Sequence, residues 1–526
     1  MAGTVSPREL KTMMHDGGEI ALLDVREAGQ FGESHLLFAT PTPYSTLEVD
    51  VARLVPRRST RIVLCDEDGT GSAALAATRL QAAGYTDVAL LAGGNRGWAA
   101  AGYELFKGVN VPSKLFGELV EHEYHTPRVT VHELARMKEA GENFVIVDGR
   151  PFSEYTKMNI PGGICCPNAE LPYRIREIVK DPAVKIIVNC AGRTRSIMGA
   201  QTLINFGVAN PVYALENGTQ GWVLADFQLE RGATRRYPER VDEAQLPGLQ
   251  ARARALMERH AVPAVTASEV ERWLTDPART TALLDVRTPE EFDAGSLPGA
   301  VHAPGGQLVQ ATDQWVAVRN ARLVLIDSEG VRAPVVASWL KQLGCDVHVL
   351  EGGIGARVAA KPPAKPALPD VASVTAAELK RMLDGGECTA FDLGPSMNFR
   401  KAHVPGSRWS TRSRLPADAR NARGAVVLIA GDRDIARLAA IDLIESGASA
   451  VKCLDGGLAA WEKAGYPTGA SPAVPADVEC IDYLFFVHDR HAGNREAMKQ
   501  YLAWETGLLA QLDGQDRASF RIGTGR

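Results

Sequence analysis

One pattern recurs four times along the chain, and it restricts the possible folds more than any other feature. In the first copy an apolar strand ends in aspartate at Ala21-Leu-Leu-Asp24-Val-Arg26, followed by Gln30-Phe31, His35-Leu36, the strand Ile62-Val-Leu-Cys65, and Gly93-Gly94-Asn-Arg-Gly-Trp98. The second reads Val145-Ile-Val-Asp148-Gly-Arg150, Glu154-Tyr155, Ile160-Pro-Gly-Gly163, Ile186-Ile-Val-Asn-Cys190 and Asn217-Gly218-Thr-Gln-Gly-Trp222. The third carries Leu283-Leu-Asp285-Val-Arg287, Glu291-Phe292, Leu297-Pro-Gly-Ala300, Leu323-Val-Leu-Ile-Asp327 and Gly352-Gly353. The fourth has Phe391-Asp392, Asn398-Phe399, His403-Val-Pro-Gly-Ser407, Val426-Val-Leu-Ile-Ala430 and Gly456-Gly457-Leu-Ala-Ala-Trp461. From the aspartate to the end of the second strand the copies run 41, 42, 42 and 38 residues, a regularity that identifies duplicated domains.

Within each copy short, nearly continuous apolar strands alternate with helical stretches such as 72–83 and 196–206, the rhythm of a buried parallel sheet. The expected class is therefore α/β: four tandem domains, each a parallel β-sheet flanked by helices on both faces, plus a C-terminal helical tail. Boundaries are expected at 1–107, 124–235, 263–360 and 370–470. Residues 107–127 read as a polar, charged connection, 236–262 as a helical linker, Lys361 to Pro369 as a stiff Pro-rich linker, and 471–526 as the tail. Met498, Tyr501, Leu502, Trp504, Leu508 and Leu509 have helical spacing, so Asn494 to Leu512 is expected to be a helix packed back on the array.

A chain of 526 residues with 45 % hydrophobic residues has material for several cores. The net charge of −5 is spread over interspersed acids and bases, which excludes a global field for nucleic acid or an anionic membrane; any anion site must be local. The first residues show no cationic segment followed by an apolar run, and no 18 consecutive apolar residues occur, so a cytoplasmic protein is expected. The 8 cysteines lack CxxC or Cys/His ligand spacing, so neither a metal nor a disulfide framework is expected, and no cofactor is implied.

Chemistry concentrates at Cys190-Ala191-Gly192-Arg193-Thr194-Arg195-Ser196, where a buried strand delivers a cysteine into a short glycine-containing turn that opens a helix. Backbone N–H groups of such a turn converge, and the helix dipole adds roughly half a positive charge. The thiolate is the reactive form of cysteine, and Arg193, Arg195 and the helix N-terminus would favour it. Cys190 is therefore the candidate nucleophile. Arg193 and Arg195, with the backbone of Ala191, Gly192, Thr194 and Ser196, are the candidate substrate-binding groups. Asp148 and Arg150 read as a structural pair beside the loop. Cys165 and Cys166 point to opposite faces of a strand and read as core packing.

The four copies resemble the rhodanese family, and the whole chain is similar to bacterial thiosulfate sulfurtransferases with four such domains. The resemblance rests on the Asp-Val-Arg strand, the Pro-Gly turn, the Gly-Gly-x-x-x-Trp close and the six-residue loop from Cys190 to Arg195. It implies that Cys190 attacks the outer sulfur of thiosulfate, releases sulfite and holds a persulfide. A thiophile such as cyanide, a small thiol or a thioredoxin-like protein then collects the sulfur. The first copy keeps Cys65, but in an acidic loop with Asp66, Glu67 and Asp68, and Cys65 is at most a secondary site. Asp327 and Ala430 replace the nucleophile in the third and fourth copies. Two other readings are weighed: a sulfur-relay or interaction scaffold, and a Cys-dependent phosphatase or arsenate reductase. The latter needs five residues between cysteine and arginine, whereas Cys190 and Arg195 enclose four.

Overall fold

The computed structural model describes residues 2–362 and 365–523, so Pro363 and Ala364 of the Pro-rich linker and the last three residues of the tail lie outside the described residues. The chain divides into two compact units: one holds residues 21–109 and 365–485, the other 110–362 and 486–523, with residues up to 12 in the first and 13–20 in the second. The first unit thus contains the first and fourth repeats. The second contains the second and third repeats and the tail.

Every repeat folds in the same way. Five parallel strands take the order first, fifth, fourth, second, third, with helices on the two faces. In the second repeat these strands are Arg128–Val129, Phe144–Asp148, Ile164–Cys165, Lys185–Asn189 and Val212–Leu215. The central strands are buried on both faces, as their unbroken apolar runs require. One face packs Val147, Ile186, Val188, Met198, Ala200 and Leu203 among others, and the opposite face packs Ile146, Ile187, Leu215 and Trp222. Trp222 also donates its indole N–H to Gln228 O at 3.0 Å, as Trp98 does to Glu104 O at 2.9 Å.

Strand register corrects one expectation. Asp148 pairs with Asn189, Asp285 with Ile326, and Asp392 with Ile429, so the residue after each partner leaves the sheet: Cys190, Asp327 and Ala430. In the first repeat Asp24 pairs with Cys65, and the residue that leaves the sheet is Asp66. The glycine closing each repeat confirms this alignment, since a Cβ at Gly94, Gly218, Gly353 or Gly457 would meet the carbonyl of Asp66, Cys190, Asp327 or Ala430 within 2.6 Å. All four glycines have positive φ, between 50° and 56°, which L side chains rarely adopt. Cys65 is still part of the strand, and its thiol turns inward to Leu23 O at 3.6 Å.

The second correction concerns the connection at 107–127. Residues Val111–Tyr124 form a helix whose first ten residues are buried, polar ones included. It packs along the helix Thr194–Asn205, and a Cβ at Gly117 would lie 2.6 Å from Thr194 Cγ2, so glycine permits the close approach. The expected linker at 236–262 contains the helix Leu246–Arg259, which packs on the third repeat's helix Arg332–Gln342. In the tail, Asn494 caps the helix Arg495–Gly507, and this helix lies against the second repeat: Arg495 donates to Val223 O and Leu224 O and pairs with Asp226 at 2.7 Å.

Within the first unit, the first and fourth repeats are joined by a buried cation. Arg412 donates to both oxygens of Glu48 at 2.6 and 2.9 Å and to Asp442 at 2.5 Å, with its guanidinium 4.4 Å from the Tyr44 ring centroid. Among the described residues no helix is long and apolar enough to cross a membrane, and no group of three or more His, Cys, Asp or Glu side chains is placed to hold a metal ion.

Candidate active site

The site begins where the strand Lys185–Asn189 ends. Cys190 is the next residue, 2 % exposed, and the loop from Ala191 runs into the helix Thr194–Asn205. The loop is pinned by its carbonyls: Thr219 N donates to Cys190 O at 2.8 Å, and Gln220 donates to Ala191 O through its backbone N at 3.1 Å and its side chain at 3.0 Å. Ser196 Oγ donates to Arg193 O at 2.8 Å and Leu215 O at 3.2 Å, which ties the first helical turn to the neighbouring strand. The loop's N–H groups are left over. Among the described residues the chain supplies no oxygen acceptor to the backbone amides of Ala191, Gly192, Arg193, Thr194 or Arg195.

The first and third repeats fill this position themselves, whereas the fourth has Ala430 there. Asp327 accepts from the amides of Gly330, Val331 and Ala333, each at 2.9 Å. Asp66 accepts from the amides of Asp68, Gly69, Gly71 and Ala73 at 2.5 to 3.2 Å. Two repeats therefore satisfy the helix N-terminus with a carboxylate of their own. At the second repeat the residue at this position is Cys190.

Both arginines of the loop are engaged by carboxylates. Arg195 makes a bidentate pair with Glu154, at 2.7 and 2.8 Å. Burial opposes its charge but is outweighed by Glu154, with Cys190 and Asp148 adding to the effect, so the guanidinium holds its proton more firmly than usual. Arg332, the residue at the same loop position in the third repeat, makes the corresponding bidentate pair with Glu291 at 2.6 and 2.8 Å, so this pair belongs to the scaffold as well as to the site. Arg193 points the other way, to the helix Val111–Tyr124, where it pairs with Glu118 at 2.9 and 3.0 Å and with Glu121. Arg193 thus faces two acids of that helix, Glu118 and Glu121.

Asp148 and Arg150 form the expected pair. Arg150 donates to Asp148 Oδ1 at 2.9 Å, to Oδ2 at 2.7 Å, and to Met158 O at 2.6 Å, while Asn189 Nδ2 donates to Asp148 Oδ2 at 2.9 Å. The pair braces the second strand's exit and recurs as Arg26–Asp24 and Arg287–Asp285. Cys165 and Cys166 are both buried, and burial first of all pushes the Cys165 thiol up to about 12 and raises the Cys166 thiol as well. Burial likewise raises Cys65, with Asp24 and Asp66 adding to the effect against Arg26.

Two groups of the site escape sequence reasoning. Glu505, on the tail helix and fully buried, accepts from Thr194 Oγ1 at 2.6 Å and Lys114 Nζ at 2.9 Å. Its other oxygen would lie 3.1 Å from a Cβ on Gly192, so the tail covers the loop at its glycine. The only local signal is the helical spacing around Tyr501, which says nothing of what that helix covers.

Compared with known proteins, residues 6–101, 130–225, 266–360 and 375–464 match the model of the Rhodanese-like domain, well over half of the chain. The chain belongs to the rhodanese family. Over its full length this rhodanese chain is 43 % identical to a thiosulfate sulfurtransferase from Pseudomonas aeruginosa of known crystal structure, which it covers completely with a TM-score of 0.93. A 105-residue stretch, 20 % of the chain, is 35 % identical to an HTH-type transcriptional regulator of Mycobacterium tuberculosis. The chain spans 45 % of that regulator's length.

Proposed function

We propose that this protein is a sulfurtransferase with one working centre, Cys190, and that its donor is thiosulfate. The Cys190 thiolate attacks the outer sulfur of thiosulfate; the S–S bond to the sulfonate breaks, sulfite leaves with the electron pair, and Cys190 carries a persulfide. The observation that carries this reading is the loop itself: five consecutive amides without an oxygen acceptor among the described residues follow the one cysteine that leaves a strand into a helix N-terminus. They suit a terminal sulfur anion, which can accept several N–H donors at once.

Arg195 is the proposed cation for the donor's sulfonate. Arg195 is 13 % and its partner Glu154 35 % exposed, which makes this the more open of the loop's two arginine pairs. Arg193 and Glu118 are 9 % and 7 % exposed, and breaking a buried pair costs about 3–5 kcal/mol, which suits Arg193 to holding the loop on its supporting helix. The persulfide sulfur then passes to a thiophile, and the two half-reactions predict ping-pong kinetics. The first and third repeats, whose helix N-termini hold internal carboxylates, are proposed to be structural.

Intact mass after incubation with thiosulfate tests the reading. The full chain gains one sulfur, about 32 Da, and Cys190→Ser gains none. Retention of the adduct in Cys190→Ser would overturn the assignment.

A further inference from the structure

The Cys190 loop is closed. Cys190, Ala191, Gly192, Arg193 and Thr194 are all buried, so neither an anion nor a thiol reaches the sulfur without a movement. One wall of the enclosure is the tail helix Arg495–Gly507 of the same unit. A Cβ on Gly192 would lie 3.1 Å from Glu505 Oε2 and 3.6 Å from Tyr501 Cε1, and Glu505 Oε1 takes the 2.6 Å hydrogen bond from Thr194. The wall carries a negative charge. Glu505 Oε2 is buried beside Gly192 with no hydrogen-bond partner among the described residues, on the loop that is to receive an anionic donor.

This wall is held lightly. Of the helix's 13 residues only Ala497, Met498, Tyr501 and Glu505 are buried, and a small buried area marks a segment that opens locally. Two of those four make electrostatic contacts: Glu505 pairs with Lys114 at 2.9 Å, and the Tyr501 ring centroid lies 3.5 Å from Arg490 and 5.4 Å from Lys114. A buried ion pair contributes little net stability, because its charges lose their water. When the helix lifts, Lys114 and Glu505 are hydrated together, so opening strands no charge in the interior. At its other end the helix is clasped by Arg495, which donates to Val223 O and Leu224 O and pairs with the exposed Asp226. Glycines flank it. Gly493 has a φ of 89°, and a Cβ at Gly493 or Gly507 would meet nothing within 4 Å, so the chain has room to turn at both ends.

We propose that the tail helix is a lid on Cys190 with Glu505 as its latch: closed, it seals the loop behind a carboxylate, and open, it admits the sulfur donor and the acceptor. This rests on Cys190 as the reactive group. Closure over a loaded Cys190 keeps the persulfide away from water. Lys114 and Glu505 set the balance between the two states, since removing one partner strands the other only while the lid is closed.

Alkylation by iodoacetamide, a small neutral reagent, reads the lid independently of sulfur transfer when each cysteine of the full chain is followed by peptide mapping. In Glu505→Gln and in Lys114→Met the stranded partner holds the lid open, so Cys190 is expected to react roughly 100-fold faster than in the wild type. Lys114→Met/Glu505→Gln leaves no charge over in the closed state, and its rate falls back toward that of the wild type. Arg495→Ala loosens only the exposed clasp and is expected to raise the rate by about threefold to tenfold. In every variant Cys165 and Cys166, in the core of the same repeat, stay unmodified. Single variants that alkylate Cys190 at the wild-type rate overturn the lid, as does a double variant no slower than the single ones. A rise shared by Cys165 and Cys166 overturns it too, because the whole repeat is then unfolding. Mass gain from thiosulfate keeps the two readings apart: a gated Cys190 that gains no sulfur fails the catalytic reading and keeps the lid, whereas an ungated Cys190 that gains sulfur does the reverse.

Discussion

The contact between Lys114 and Glu505 ties the tail to the helix beside the Cys190 loop, and its energy can be worked out from burial. The Lys114 side chain is 10 % exposed and Glu505 0 %, with 2.9 Å between Nζ and Oε1, and Thr194 adds a 2.6 Å bond to the same oxygen. Glu505→Gln keeps the shape and the acceptor for Thr194 but leaves Lys114 buried without a counter-charge, a loss of about 3–5 kcal/mol. Lys114→Met leaves the carboxylate with Thr194 and should cost on the order of 3 kcal/mol. In Lys114→Met/Glu505→Gln no buried charge is left over, so the double variant should be less destabilised than either single one. Urea unfolding of the full chain, followed by circular dichroism, measures all three, and hydrogen exchange should show the helix Arg495–Gly507 losing protection in the single variants first. Single variants within about 1 kcal/mol of wild type, or strictly additive losses, would refute the reasoning. The pH dependence follows the same pair. Burial, which raises the Glu505 carboxyl, is outweighed by Lys114 and Thr194, so it lies below its ordinary 4.5; its contribution is present above that value and fades as pH falls further.

Arg193→Ala strands the buried Glu118, while Glu121 keeps its pair with Arg128, and should destabilise the chain by about 3–5 kcal/mol in urea unfolding, whereas Arg195→Ala should lower kcat/KM for thiosulfate by roughly 100-fold in a sulfite-release assay. Cys65→Ala should take up sulfur from thiosulfate as the wild type does, because Asp66 occupies the loop position; loss of the mass gain would count against the register argument. At pH 8 iodoacetamide should leave Cys165 unmodified in the native protein, since a thiol near 12 is only about one part in ten thousand thiolate; peptide mapping checks this. Asp327 is raised to about 7, first by burial and then by Glu329, so folding favours its protonated form and its contribution is lost as pH rises through that value. Asp327→Asn should therefore gain on the wild type in urea midpoint between pH 5 and pH 8, and a widening deficit would contradict the assignment.

The first-repeat loop shows where reading a sequence stops short. Ile62 to Cys65 looks like a strand ending in the nucleophile, as Ile186 to Cys190 does, yet pairing with Asp24 keeps Cys65 inside the sheet. A one-residue difference in register turns a side chain to the other face, and local pattern does not encode register. The helix Val111–Tyr124 looked like a polar connection because Lys114, Glu118 and Glu121 are charged; their partners Glu505 and Arg193 lie 391 and 75 residues away. Spacing within a segment carries no information about charges that arrive from elsewhere.

The repeated local pattern was legible. Four copies of the aspartate strand, the Pro-Gly turns and the glycine closures dictated four parallel sheets, since apolar runs and left-handed glycines act through near neighbours. The sequence Cys190-Ala-Gly-Arg-Thr-Arg195 alone marked the proposed centre. What tertiary structure decided was the surroundings of the Cys190 loop: Arg193 drawn off to an acidic helix and Glu505 brought down over Gly192. Those features depend on chain segments that meet only after folding, when burial makes an unpaired charge costly and fixes which groups are left to meet a substrate.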